Sequence, residues 1–186
     1  INENSPLIVV QDEDESISLN NLFQGIQKHI VTEILNISGE KFRISHLKLY
    51  STYNKMHNMV FCANTREVKS FNISKLLNTS AQFDEADEKF IYSAYVSGNY
   101  LDQHVNPSRI EFDIPESQME LLSGECSISM EQIKISVVES TKEFLSEYLE
   151  NLKDRRKEIV RIYVETHNPT LRAVLEYCPE VYEEVD

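Results

Sequence analysis

Residues 58–73, NMVFCANTREVKSFNI, read as strand, tight turn, strand. Asn58–Ala63 is apolar on both faces, as a strand inside a sheet must be. Asn64-Thr65 is a turn pair, and Asn64 suits a position with positive φ. Arg66–Ile73 returns as the partner strand. Working outward, Lys89–Ser97 (KFIYSAYVS) is rich in aromatic and β-branched residues and predicts a further strand, ended by Gly98-Asn99. Lys41–Tyr50 places Phe42 and Ile44 on one face. Leu47 and Leu49 fall out of phase with them, which predicts a bulge near Ser45-His46. Leu7–Val10 is a short apolar run, closed by the acidic Gln11–Glu15 turn.

Helical spacing brackets these strands. Leu19, Leu22, Phe23, Ile26, Ile30 and Ile34 recur at three- and four-residue steps, so a helix capped by Ser18 is expected to run to about Asn36 and break at Gly39. Ser129-Met130-Glu131-Gln132 fits a capping box. The helix behind it is expected either to reach about Thr166 unbroken or to break near Lys153–Arg156. Asn168-Pro169 opens a fresh helix that reaches Cys178. The pattern gives an α+β fold: a mostly antiparallel sheet of about four or five strands with the first helix across one face. That unit would span residues 1–125, with a helical extension over 126–186.

The 186 residues carry 18 basic and 31 acidic side chains, a net charge of 18 − 31 = −13. Such a chain is a poor default binder of phosphate backbones or anionic membranes, so neither nucleic acid nor membrane is expected as a partner. Cys62, Cys126 and Cys178 form no Cys-x-x-Cys pair, which points to free thiols in a reducing, cytoplasmic setting with neither zinc site nor disulfide framework. The acceptor triplets at Asn36, Asn72 and Asn78 read as chance without a secretion signal. Beginning at Ile1, the chain reads as an excised segment.

No metal site and no complete active site stand out. The four glycines (Gly25, Gly39, Gly98, Gly124) form neither a phosphate loop nor a dinucleotide fingerprint, so no nucleotide is expected on this chain alone. His29, His46, His57, His104 and His167 are scattered and read as surface or packing residues. A Cys62–His46 couple has no local support. Two segments rise above this background. In Phe61–Val68, Arg66 follows the Asn64 turn and could pair with a carboxylate, or the whole could be an ordinary hairpin. In Val105-Asn106-Pro107-Ser108-Arg109, a permanently charged planar donor stands on a polar loop after the sheet. Arg109 could reach a phosphate held by another domain, or pair with Glu111 or Asp113.

Val96–Arg109 (VSGNYLDQHVNPSR) resembles the middle domain of the heat-shock-ninety chaperones, where a strand leads into Val-Asp-Ser-x-Asp-Leu-Pro-Leu-Asn-x-Ser-Arg-Glu. Val96, Ser97, Leu101, Asn106, Ser108 and Arg109 lie on that pattern in order. Phe61–Val68 resembles the Phe-Val-Asn-Gly-Arg-x-Val hairpin in the transducer domain of the mismatch-repair ATPases. Val164–Val181 is similar to later helices of a bacterial group of chaperone-like ATPases. All belong to the GHKL superfamily. The resemblance implies a ribosomal-protein-S-five-like transducer fold and a role as the middle domain of an ATPase. ATP and Mg would then sit in a preceding N-terminal domain, and Arg109 would reach the γ-phosphate with Asn106 and Ser108 supporting its loop. Ile110 stands where the chaperones have Glu, and Asp113 where they have an assisting Gln. In the mismatch-repair family a Lys on a different loop reaches the nucleotide; Lys69 and Lys75 are nearby, and neither is assigned to that role. The alternative is a protein-interaction or dimerisation module, with a second copy of the chain as partner in a homodimer, and no nucleotide role. The protein client is open on either reading.

Overall fold

The computed structural model describes residues 8–11, 16–18, 30–50, 56–79, 81–117, 128–167 and 169–171. Val9–Gln11 (β1) and Ser16–Ser18 (β2) pair as a separate small hairpin. The main sheet contains Ile30–Ile37 (β3), Glu40–Tyr50 (β4), Asn58–Ala63 (β5), Arg66–Asn72 (β6), Phe83–Glu85 (β7) and Glu88–Ser97 (β8). Its order is β3-β4-β8-β5-β6, with β7 also on β8. Every pairing is antiparallel except β5 with β8, which is parallel. Asn99–Gln103 (α1) follows β8, and Met130–Phe144 (α2) and Ser146–His167 (α3) follow later. The fold is α+β, as expected.

Three expectations need correction. Residues 30–37, assigned above to the first helix, form β3. The β-branched Ile30, Val31, Thr32, Ile34 and Ile37 favour an extended backbone, and pairing with β4 along all eight residues outweighs the helical spacing. Gly39 does not end a helix. With Ser38 at φ 49° and Gly39 at φ 90°, it makes the two-residue hairpin turn to β4, and Asn36 Oδ1 accepts the Gly39 N–H at 3.0 Å. The part of that helix over residues 19–29 lies outside the described residues.

The bulge near Ser45-His46 is also absent. β4 keeps unbroken register with both β3 and β8, so Phe42, Ile44, His46, Lys48 and Tyr50 share the inner face. The register shift lies instead between Phe61 and Cys62, against β6. Finally, the C-terminal helix is neither continuous nor broken at 153–156. It breaks at Leu145, a fully buried residue of the core. Ser129 does cap α2, and the reciprocal capping box with Gln132 is formed. Pro169–Leu171 is a 3-10 turn, and the rest of the helix expected to reach Cys178 lies outside the described residues.

The core lies between the inner sheet face and the helices. Phe42, Ile44, Met59, Phe61, Phe90, Tyr92 and Val96 from the sheet share one cluster with Leu101, Ile128, Met130, Ile133, Val137 and Leu145. Phe144 of α2 stacks on His46, with ring centroids 4.5 Å apart.

Candidate functional site

The chain leaves β8 through Gly98, because nothing larger fits there. A Cβ at Gly98 would stand 2.7 Å from the Lys41 carbonyl oxygen at the start of β4. This close approach seats α1 against the sheet end. Tyr100 then anchors α1: its hydroxyl donates to Ile128 O at 2.9 Å, just before α2.

The loop after α1 is a closed strap. Asp113 N–H donates to His104 O at 2.7 Å and Asn106 N–H to Glu111 O at 2.9 Å, with Val105 bridging Phe112 between them. At the tip, Asn106-Pro107-Ser108-Arg109 is a turn, in which Arg109 N–H donates to Asn106 O at 2.9 Å. Pro107 at its second position pre-sets the backbone. The Asn106 side chain accepts the Ile110 N–H at 3.1 Å. Arg109 holds φ 56°, a conformation uncommon outside glycine. Its side chain is exposed and has no ion pair among the described residues, so neither Glu111 nor Asp113 holds it. Ser108 is exposed, and Asn106 is half-buried.

The hairpin turn behaves as its sequence suggests. Asn64 (φ 48°) and Thr65 (φ 66°) both take the left-handed backbone of a tight two-residue turn. Asn64 N–H donates to Asp102 Oδ1 of α1 at 2.7 Å. The hairpin turn therefore meets α1, the helix that leads into the strap, at one end of the sheet. Arg66, also exposed, has no ion pair among the described residues. Lys69 is engaged with Glu116 at 3.2 Å.

No protein-family model, no curated protein and no solved structure matches this chain.

Sequence reasoning missed a polar seam on the inner face. His46 Nδ1 meets Tyr92 Oη at 2.6 Å, and Tyr92 Oη meets Thr141 Oγ1 of α2 at 3.0 Å. His46 Nε2 lies 3.3 Å from Glu33 Oε1 but makes no hydrogen bond. Burial drives the His46 pKa below its ordinary value, and the Glu33 carboxylate offsets this only in part. One step along β4, Lys48 donates to Glu85 at 2.6 Å and Tyr148 at 2.7 Å, and Tyr50 and Tyr148 both donate to Glu85. Burial alone would raise the Glu85 pKa. The three donors outweigh it and hold the carboxyl at about 2. Burial works against the Lys48 ammonium, yet Glu85 and Tyr148 raise its pKa. The signal was present in sequence: His46 and Lys48 are in phase with Phe42 and Ile44.

This seam fixes α2 and α3 on the sheet. Cys62 lines a groove with Arg43 and Tyr95 on the opposite sheet face from His46, so no Cys62–His46 couple forms. No three His, Cys, Asp or Glu gather as a metal site among the described residues, and no described helix is long and apolar enough to cross a membrane.

Proposed function

We propose that this chain is the middle, transducer-like domain of a GHKL-type ATPase. Residues 1–125 would form the transducer of ribosomal-protein-S-five-like type, and 126–186 the helical part that receives its motion. One observation carries this reading. Arg109 is an exposed, unpaired cation among the described residues, held at positive φ on a hydrogen-bonded strap in a chain with 31 acidic side chains. A sequence with carboxylates to spare leaves this guanidinium free, and the strap limits the conformational entropy lost when it engages an anion. Asn106 and Ser108 form its turn, and the Asn64 hairpin braces α1 behind it. ATP and Mg would be held by the preceding domain, and this chain would supply charge to the γ-phosphate. Ile110 is exposed beside Arg109, while Asp113 closes the base of the strap against His104. Because α2 shares the sheet's core, a shift of the strap end would carry to α3.

The test is ATP turnover by the protein that contains this chain together with its nucleotide-binding domain. Arg109→Ala is expected to lower kcat by at least tenfold. Turnover within twofold of wild type would reject the role.

A second reading, an association module, draws on Ile159, Ile162 and Tyr163, which are more than half exposed on α3. Light scattering on the chain checks it: a dimer that persists in wild type and is lost in Ile162→Glu supports it, and a monomer rejects it.

A further inference from the structure

The sheet face opposite α2 carries a groove of about 850 Å³ at the same end as α1. Lys41 and Arg43 project into it from alternate positions of β4. On one face of a strand such positions lie roughly 7 Å apart. Arg43 sits directly opposite Ser97 of β8, and Tyr95, Asn64 and Asp102 also line the groove. The Asp102 carboxylate already accepts the Asn64 N–H at 2.7 Å.

Lys48, Lys69, Lys89, Lys134, Arg155, Lys157 and Arg161 all lie within ion-pair distance of a carboxylate. Lys41 and Arg43 have no such partner among the described residues, although both are exposed and the chain is strongly acidic. Arg66 and Arg109 also lack an ion pair among the described residues, but Lys41 and Arg43 stand two positions apart on one face of β4 and line one groove. Two neighbouring like charges without a counterion repel one another, and an anion between them would relieve that cost. A carboxylate brings a single charge. A phosphate monoester brings nearly two, with three acceptor oxygens for an ammonium, a guanidinium fork and a hydroxyl. Tyr95, 37% exposed, gives the carbon part of an ester an aromatic surface beside the charges.

We propose that this groove binds a phosphate monoester, with its phosphate on Lys41, Arg43 and Ser97 and its organic group against Tyr95. The site is separate from Arg109 and does not depend on the ATPase reading: it is a property of this chain alone, read by binding and not by turnover.

The experiment titrates the chain with phenyl phosphate, inorganic phosphate and benzoate by calorimetry at low salt, and follows amide shifts by two-dimensional NMR. Phenyl phosphate is expected to bind most tightly, with shifts centred on Lys41, Arg43 and Ser97. Lys41→Ala/Arg43→Ala should weaken it by about tenfold or more, since hydrogen bonds to charged groups are the strong ones. Lys89→Ala/Lys157→Ala removes the same charge elsewhere and should change affinity by less than twofold. The proposal is overturned if phenyl phosphate does not bind, if benzoate matches it, if the shifts map elsewhere, or if the two double variants lose affinity equally. Both substituted positions are exposed, and the wild-type shift map locates the site without any substitution.

Discussion

Replacing Glu85 by Gln removes the charge at the hub of the seam while keeping its shape. Glu85 accepts hydrogen bonds from Lys48, Tyr50 and Tyr148, and its carboxyl titrates at about 2 against an ordinary 4.5. The gap, 4.5 − 2 = 2.5, corresponds to about 3.4 kcal/mol at 1.36 kcal/mol per pH unit. The Glu85 side chain is 33% exposed, so water screens part of this, and about 1.5 kcal/mol is the working figure. The folded pKa is depressed, so this stabilisation is fully present above pH 4.5 and is lost as pH falls through about 2. Urea unfolding followed by circular dichroism should therefore show Glu85→Gln less stable than wild type by about 1.5 kcal/mol at pH 7, with the difference shrinking below pH 4.5. Lys48 would remain over the Phe90 and Tyr148 rings, at 5.2 and 4.7 Å, so the variant should still fold. Equal stability at pH 7, or a gap unchanged at pH 3, would refute the assignment of Glu85 as a charged hub.

Gly98→Ala pushes a Cβ to 2.7 Å from the Lys41 carbonyl, and overpacking of this kind costs about 2 kcal/mol. The melting temperature should fall by roughly 4–8 °C, and an unchanged value would mean that β4 and α1 are not held this closely. His57 is fully buried, accepts the Tyr92 N–H on Nδ1 at 3.0 Å, and donates from Nε2 to Ala81 O at 2.9 Å. Burial depresses its pKa below 6.5, with the Ala81 carbonyl acting the other way. The unfolded chain then binds the proton more readily, so the His57 contribution is whole above pH 6.5 and declines as pH falls below it. A nitrogen-15 NMR titration should find a neutral ring protonated on Nε2 at pH 7 and a midpoint below 6.5, and a midpoint at or above 6.5 would contradict this.

Local signals were legible in the sequence, and long-range ones were not. The strands β5, β6 and β8, the Asn64-Thr65 turn and the Ser129 box each depend on a few adjacent residues, and all are found. Ile30 and Ile34 satisfied helical spacing equally well, and only pairing with β4 decides for a strand. His46 and Lys48 looked like a break in the strand pattern because polar inner-face residues need partners from α2, β7 and α3 that no local window contains. The break at Leu145 has no Gly or Pro beside it to announce it in the sequence. At the candidate site, Val105–Arg109 was legible as a polar loop, whereas its hydrogen-bonded turn and the Asn64–Asp102 contact, between residues 38 apart in sequence, required the fold.

The most direct measurement is steady-state ATP hydrolysis by the protein joining this chain to its nucleotide-binding domain, compared between wild type and Arg109→Ala with ATP binding measured alongside. The account predicts a loss of at least tenfold in kcat, with ATP still bound. Removal of an arginine finger costs on the order of a thousandfold where hydrolysis depends on it. Turnover within twofold of wild type would contradict the account.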